Sequence, residues 1–298
     1  MTMTARVNLG VVGAGRVGAV LSSALRAAGH EVVAAAGESD GSRARIAALL
    51  PGVPVRKPSA VSRSCDLLLL TVPDDMLHNV VSMLAASGAI RRGQYVAHTS
   101  GRHGLSVLQP AADLGAQVLA LHPAMTFTGT ALDLPRLEGC AFGVTADTEA
   151  TARMARRLVA DLGGNLVWVP EEKRTLYHAG LAHGANHLVT LVSQAMGLLR
   201  ESGATDPAAT LRPLLTAALD NALTMDSAAL TGPIVRGDVE TVRAHLEAIR
   251  GTQPGTLESY IALGRATANT AVMDGRLLPI RAAKLIGILN DALEKVRA

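Results

Sequence analysis

Aromatic side chains are scarce: Phe, Tyr and Trp together make up 2% of the 298 residues, with a single Trp. So few ring faces leave almost nothing for bases to stack on, and a formal net charge of +3 gives little of the basic surface that grips a phosphate backbone. No nucleic-acid partner is expected. Only two cysteines occur, Cys65 and Cys140, each at the edge of an apolar strand-like run. A small buried thiol is the usual occupant of such a place, so neither is assigned a disulfide or a catalytic sulfur. No uninterrupted apolar run is long enough to span a bilayer, and the first residues lead into a glycine motif without the layout of a signal peptide. The expectation is a cytoplasmic protein that does not engage membranes.

Apolar residues, by contrast, make up 49% of the chain and charged ones 18%, an ordinary globular composition with length enough for two domains. Strand-like apolar runs fall at 7–12, 31–36, 66–72, 95–99, 117–121, 141–145 and 165–169, most of them separated by helix-compatible segments. That alternation predicts an α/β fold, a Rossmann-type doubly wound parallel sheet. After Pro170 no convincing strand follows, and helices are predicted over 171–202, 207–229, 238–250, 254–274 and 279–297, punctuated by Gly and Pro. Residues 1–170 are therefore expected to form a dinucleotide-binding domain and 171–298 an all-helical one.

The first strand runs into Gly13-Ala14-Gly15-Arg16-Val17-Gly18, the G-x-G-x-x-G spacing, and then into an Ala/Leu-rich helix that Gly29 ends. Gly13 allows the tight turn, Gly15 lets backbone amides approach a pyrophosphate, and Gly18 lets the helix lie close on the sheet. The acidic residue that normally closes the second strand and binds the ribose hydroxyls is missing; Ala36-Gly37 stands in its place. Small residues leave room for a 2′-phosphate, which Ser39, Arg43 and Arg45 could hold. The cofactor expected is NADP, with Glu38 two residues on as the feature that would favour NAD instead.

In open α/β sheets ligands sit beyond the carboxyl ends of the strands, which directs attention to Thr71-Val72-Pro73-Asp74, His98-Thr99-Ser100-Gly101 and His122-Pro123-Ala124-Met125. Val72 and Pro73 are placed beside the cofactor, Asp74 or Asp75 as an N-cap of the next helix, and Ser100 near a nicotinamide ring, while His98 suits a structural or a proton-donating role. His183 and His187 have the i, i+4 spacing of a zinc pair, but no third ligand is signalled and no metal is expected. At about 100° per residue, His178 and Asn186 lie about 80° apart on their helix.

The combination GAGRVG, HTSG, LHPAMTF, YHAGLAHGANHL and LTGPIVRGD resembles the bacterial family that joins a Rossmann-like domain to a helical domain of unknown function, DUF2520, over nearly the whole chain. More distantly it is similar to ketopantoate reductases and pyrroline-5-carboxylate reductases, whose helical domain closes over a nicotinamide cofactor and often dimerises. The resemblance implies an NADP-dependent oxidoreductase acting on a small carbonyl or imine acid, as a homodimer through the helical domain. Overlaying the ketopantoate reductase motif puts its catalytic Lys on His178, its first Asn on Ala182 and its second on Asn186. His178 then becomes the candidate general acid, although a core histidine beside Tyr177 suits the same sequence, with Tyr177 or a water as donor in that case. Asn186, Ser100 and His122 are expected to orient substrate or nicotinamide, and Arg236 and Asp238 to close the site, Arg236 by gripping a carboxylate; a loop salt bridge is the alternative for that pair. The lost lysine also suits a nucleotide-binding regulatory or scaffold protein that keeps the Rossmann fold without turnover.

Overall fold

The structure is a computed structural model that describes residues 6–297. Seven strands, β1 (Asn8–Val12), β2 (Glu31–Ala36), β3 (Leu67–Leu70), β4 (Tyr95–His98), β5 (Gln117–Pro123), β6 (Ala141–Thr145) and β7 (Asn165–Trp168), form one sheet in the order β2-β1-β3-β4-β5-β6-β7. Six helices accompany them: α1 (Arg16–Ala27), α2 (Asp40–Leu49), α3 (Pro58–Arg63), α4 (Asp74–Ala86), α5 (Gln109–Ala112) and α6 (Glu149–Asp161). One apolar layer draws on α1, α2 and α6 and the other on α3, α4 and α5, so the sheet is wound on both faces. β3 reads LLLL with all four residues buried because it lies between those two layers.

The first five strands are mutually parallel, but β6 pairs with β5 antiparallel, with Leu121 opposite Val144, and β7 follows β6 in parallel. The sheet is thus mostly parallel rather than wholly so. A parallel return needs a crossover, usually a helix. The β5–β6 connection instead holds only a 3-10 stretch, Ala131–Leu137, which packs on α1, and the chain comes back beside β5 in the opposite sense. A second difference concerns α4. Its N-cap is Pro73, with no side-chain cap, and Asp74 and Asp75 occupy the first turn, where their charges complement the helix dipole.

By packing, the chain divides into two units, Met1–Ala182 and His183–Ala298. Strands cease by Pro170, as expected, yet α7 (Arg174–Leu181) packs with the sheet unit, because it inserts a fully buried Arg174 there. Between α7 and the next helix, Ala182–Asn186 is a π-helical turn. That wider turn displaces every residue beyond Ala182 around the axis, so the regular 100° arithmetic relating His178 to Asn186 does not hold.

The second unit contains α8 (His187–Glu201), α9 (Pro207–Met225), α10 (Pro233–Arg236), α11 (Val239–Thr252), α12 (Pro254–Met273) and α13 (Pro279–Arg297). The helix expected over 207–229 stops at Met225. Asp226, with φ 52°, is the one described non-glycine residue in left-handed backbone, and a 3-10 turn follows it. The unit's core lies among α11, α12 and α13, around Leu246, Leu257, Ile261, Leu285 and Leu289. No described helix is long and apolar enough to cross a membrane.

Candidate active site

Two of the three glycines of the turn, Gly13 and Gly18, have the close contacts their spacing implies. Gly13 adopts φ +89°, and a Cβ there would stand 2.8 Å from the Thr71 and Val72 backbone. The Gly13 and Ala14 amides donate to Ala36 O, and Thr71 Oγ1 donates to Gly13 O at 2.6 Å, tying the turn to β2 and to the end of β3. Gly18 meets the Thr71 hydroxyl, with Gly13 O 2.9 Å from where its Cβ would be, so only glycine brings α1 this close. Gly15 differs: its nearest neighbour would be 3.7 Å away, leaving open space in front of its backbone. As N-cap of α1 it brings no capping side chain, so the amides of Arg16, Val17 and Gly18 keep their hydrogens for an anion.

A cleft of about 710 Å³ starts at this turn. It runs past Gly37, Glu38, Ser39 and Ser42 on one side and Val72, Pro73 and Met76 on the other, and ends at Thr99 and Ser100. Cradle, length and free amides fit a dinucleotide. Ser39 caps α2 by accepting from Ser42 N at 3.1 Å. The Arg43 guanidinium is committed elsewhere, donating to Glu38 O at 2.6 Å and pairing with Asp40 at 2.7 Å. Arg45 lies against the turn at Gly129 instead, beside Arg16.

At the other end of the cleft, α7 presents Glu171, just before it, and Arg174, Tyr177 and His178 to the carboxyl ends of β4 and β5 and to the antiparallel strand β6 beside them. Glu171 accepts from the Leu105 and Ser106 amides, at 2.6 and 3.2 Å, and so fixes the loop after β4. Arg174 is wholly buried, donating Nη2 to Ser100 O at 2.6 Å and Nη1 to Thr145 Oγ1 at 3.0 Å. Its Nε has no partner, and it forms no salt bridge among the described residues. Tyr177 lies flat over Gly143, where a Cβ would be 2.5 Å from its Cζ and Oη, and its hydroxyl is 3.0 Å from His122 Nδ1. The His178 ring packs on Gly101 and stands edge-on to His122, centroids 5.9 Å apart.

These groups share an electrostatic setting. Burial, with the Arg174 charge adding to it, lowers His122 to about 4 and His98 to about 4, so both rings are neutral near pH 7. Burial raises the Tyr177 phenol, against the pull of Arg174. His98 is structural: its Nδ1 accepts from Ser100 N at 3.1 Å, which leaves Nε2–H to donate to Gly104 O at 2.8 Å. The Ser100 hydroxyl accepts from His103 N at 3.1 Å.

The structure therefore gathers Ser100, His122 and His178 at one place, in the sheet unit. Asn186, Arg236 and Asp238 belong to the second unit. Asn186 and Arg236 are exposed. Asp238 is the N-cap of α11, accepting from Thr241 N at 3.1 Å and Thr241 Oγ1 at 2.7 Å, and these bonds hold its carboxyl below the usual value; it forms no salt bridge with Arg236. Asp238 thus acts as a helix cap within the second unit. His183 and His187 meet through their Nδ1 atoms at 2.9 Å, a hydrogen-bonding distance rather than the separation of two ligands around a zinc ion. Arg174 and Gly143 were not singled out in the sequence. The signal was available in the spacing Glu171, Arg174, Tyr177, His178, which follows one helical face.

A doubly wound sheet whose first glycine turn leaves helix amides free at the head of a long cleft defines the class of Rossmann dinucleotide-binding folds. Residues 2–123 match the model of the Rossmann-like domain and residues 140–267 that of the domain of unknown function DUF2520. The chain thus joins a Rossmann-like domain to DUF2520, the combination its motifs resemble. The reversal of the sheet falls between the two models, since β5 ends at Pro123 and β6 begins at Ala141. Comparison with curated proteins returns no match.

Among solved structures, a Bacteroides fragilis protein assigned provisionally as an NADP oxidoreductase aligns with a TM-score of 0.76 at 17% identity, covering 89% of this chain and 98% of its own. Protein TM1727 of Thermotoga maritima gives 0.63 at 21% identity, covering 89% and 99%. The Plasmodium falciparum pyrroline carboxylate reductase with NADP bound gives 0.55 at 10% identity, covering 94% and 98%. At these identities the likeness establishes the fold.

Proposed function

We propose that the protein is an NADP-dependent oxidoreductase that reduces the C=O or C=N group of a small carboxylic acid. The observation that carries this reading is the meeting of the dinucleotide cleft, at Ser100, with a cluster of proton-bearing side chains, His178, His122 and Tyr177, packed behind Gly101. When bound, a reduced nicotinamide nucleotide supplies hydride. The chain supplies the rest. Gly15 and the first amides of α1 bind the pyrophosphate, and Ser100 and its neighbours Val72 and Pro73 position the far end of the nucleotide.

His178 is the proposed general acid, an imidazole at the edge of the cluster beside Gly101 and His122. His122, kept neutral by burial, hydrogen-bonds the Tyr177 hydroxyl through Nδ1 at 3.0 Å and so orients the phenol within the cluster. Arg174 holds the Ser100 carbonyl and fixes the turn on which these rings rest. Structural relatives assigned as NADP and pyrroline carboxylate reductases support the reaction class.

We also propose a homodimer through the second unit. α9 is 19 residues long with only Pro207 buried, and it exposes Leu214, Leu219, Leu223 and Met225, while α8 exposes Leu188, Val189 and Leu191. An apolar hairpin of this size needs covering in water. The reductase reading is tested by following NADPH absorbance with a panel of 2-oxo acids and cyclic imines. Consumption with one or more members supports it; binding without consumption across the panel favours a nucleotide-binding regulator.

A further inference from the structure

Two guanidinium groups of the sheet unit without a hydrogen-bonding partner meet at one backbone turn. Arg16, the first residue of α1, is exposed and lines the dinucleotide cleft, and Arg45, on α2, is half-buried. Neither forms a hydrogen bond or a salt bridge among the described residues. Both reach the same backbone turn: a Cβ on Gly129 would stand 2.7 Å from Arg45 Nε and 2.9 Å from Arg16 Cγ. The Arg45 tip extends to the start of α2, where a Cβ on Gly41 would be 3.4 Å from its Nη1. Ser39 and Ser42, from that same helix start, line the cleft.

The turn is itself built. Gly129 has φ +82°, and Asp133, wholly buried, accepts from Gly129 N at 2.7 Å and from Thr128 Oγ1 at 3.0 Å. Burial raises the Asp133 carboxyl, but these bonds outweigh it and hold the group below its usual value. A buried carboxylate thus fixes a glycine turn between two unpaired cations. The facing charges are few: Arg136 lies 3.5 Å from Asp133, Arg43 is paired with Asp40, and Glu38, exposed and on the rim of the cleft, is the opposing carboxylate.

We infer that Arg16 and Arg45, seated on either side of the Gly129 turn, form the binding site for a phosphomonoester, the 2′-phosphate of the nucleotide, and that Arg43 does not take part. The inference rests on the NADP reading and deepens it. Two planar guanidiniums at the rim match a dianion by charge and by hydrogen-bonding geometry, and neither has to leave a protein partner to do so. The loop between β5 and β6, in place of a crossover helix, thereby becomes part of the nucleotide site.

Isothermal titration of NADPH, NADH and 2′,5′-ADP into the full chain tests this without a substrate. Arg45→Ala and Arg16→Ala are each expected to weaken NADPH and 2′,5′-ADP by about tenfold or more, the scale of a lost charge-assisted bond, with NADH affinity unchanged. Arg43→Ala is expected to stay within about twofold of wild type. Retained preference for NADPH in the Arg16→Ala, Arg45→Ala double variant, or a loss in Arg43→Ala as large as in Arg45→Ala, overturns the assignment while leaving the oxidoreductase reading intact. Tighter NADH binding by the wild type overturns the NADP reading together with the assignment, and no binding of either nucleotide overturns the proposed function as well. Unaltered NADH affinity in each variant shows that the cleft is still folded.

Discussion

Replacing Gly143 by Ala should displace Tyr177, and the size of the effect follows from the packing. The new methyl would stand 2.5 Å from Tyr177 Cζ and Oη and 2.9 Å from Cε1, where carbon atoms prefer about 3.5–4.0 Å. Relieving roughly 1 Å of overlap requires the ring to leave the sheet, at the ~1–3 kcal/mol typical of overpacking. The 3.0 Å bond to His122 is then lost as well, for a further ~1 kcal/mol. With Leu at position 177 the clash disappears, and Gly143→Ala should be neutral or stabilising by about 0.4–1 kcal/mol through the unfolded chain. A double-mutant cycle by urea denaturation should therefore show a coupling on the order of 2 kcal/mol between the two positions. Additive effects, with Gly143→Ala equally costly in both backgrounds, would refute the stacked arrangement of Tyr177 on β6.

Four further outcomes are expected. His98 and His122 have native values lowered to about 4 from 6.5, so the unfolded chain binds more protons between those limits; stability should be level above pH 6.5 and fall towards pH 4, with a slope of up to ~2.7 kcal/mol per pH unit for two rings. A flat urea midpoint across that window would contradict their buried neutral state. Asp238→Ala removes the cap of α11 and should lower the thermal unfolding midpoint without altering NADPH affinity; a changed affinity would argue for a role in the site. Leu223→Glu, at a position 79% exposed, should leave the fold intact but shift sedimentation from dimer to monomer; a monomeric wild type sinks the dimer. Once a substrate is found, His178→Ala should lower the rate by about 10² to 10⁴ while NADPH binding survives, and a near-normal rate with an unchanged pH profile would pass the role of donor to Tyr177.

Much of the fold can be read from one dimension because it rests on local periodicity. The seven apolar runs became the seven strands within two residues or so at their ends, and Gly13, Gly15 and Gly18 each carry out a backbone task their spacing implies. The reversal at β6 could not be read there. Strand direction depends on what lies between strands, and the 124–140 segment shows no helical period to signal or exclude a crossover. The active-site cluster was half legible for a similar reason. Ser100 comes just after β4 and His122 stands next to last in β5, where position at a strand's carboxyl end marks them. Arg174 matters through its burial beneath Ser100, and Gly143 through the ring it admits, both consequences of α7 folding back on β6. The capping role of Asp238 was not legible beside Arg236, because an N-cap and a functional carboxylate look alike in sequence; the bonds from Thr241 reveal the cap.

Hydride transfer itself is the central claim, and it can be followed directly with NADPH deuterated at the transferable position of the nicotinamide ring. After incubation with the panel of 2-oxo acids and cyclic imines, mass spectrometry should find one deuterium in a reduced hydroxy or amino acid, formed in step with NADP and absent when Gly15 is replaced by Val. Prolonged incubation that leaves every panel member unlabelled and the bound nucleotide unchanged would contradict the assignment as a reductase.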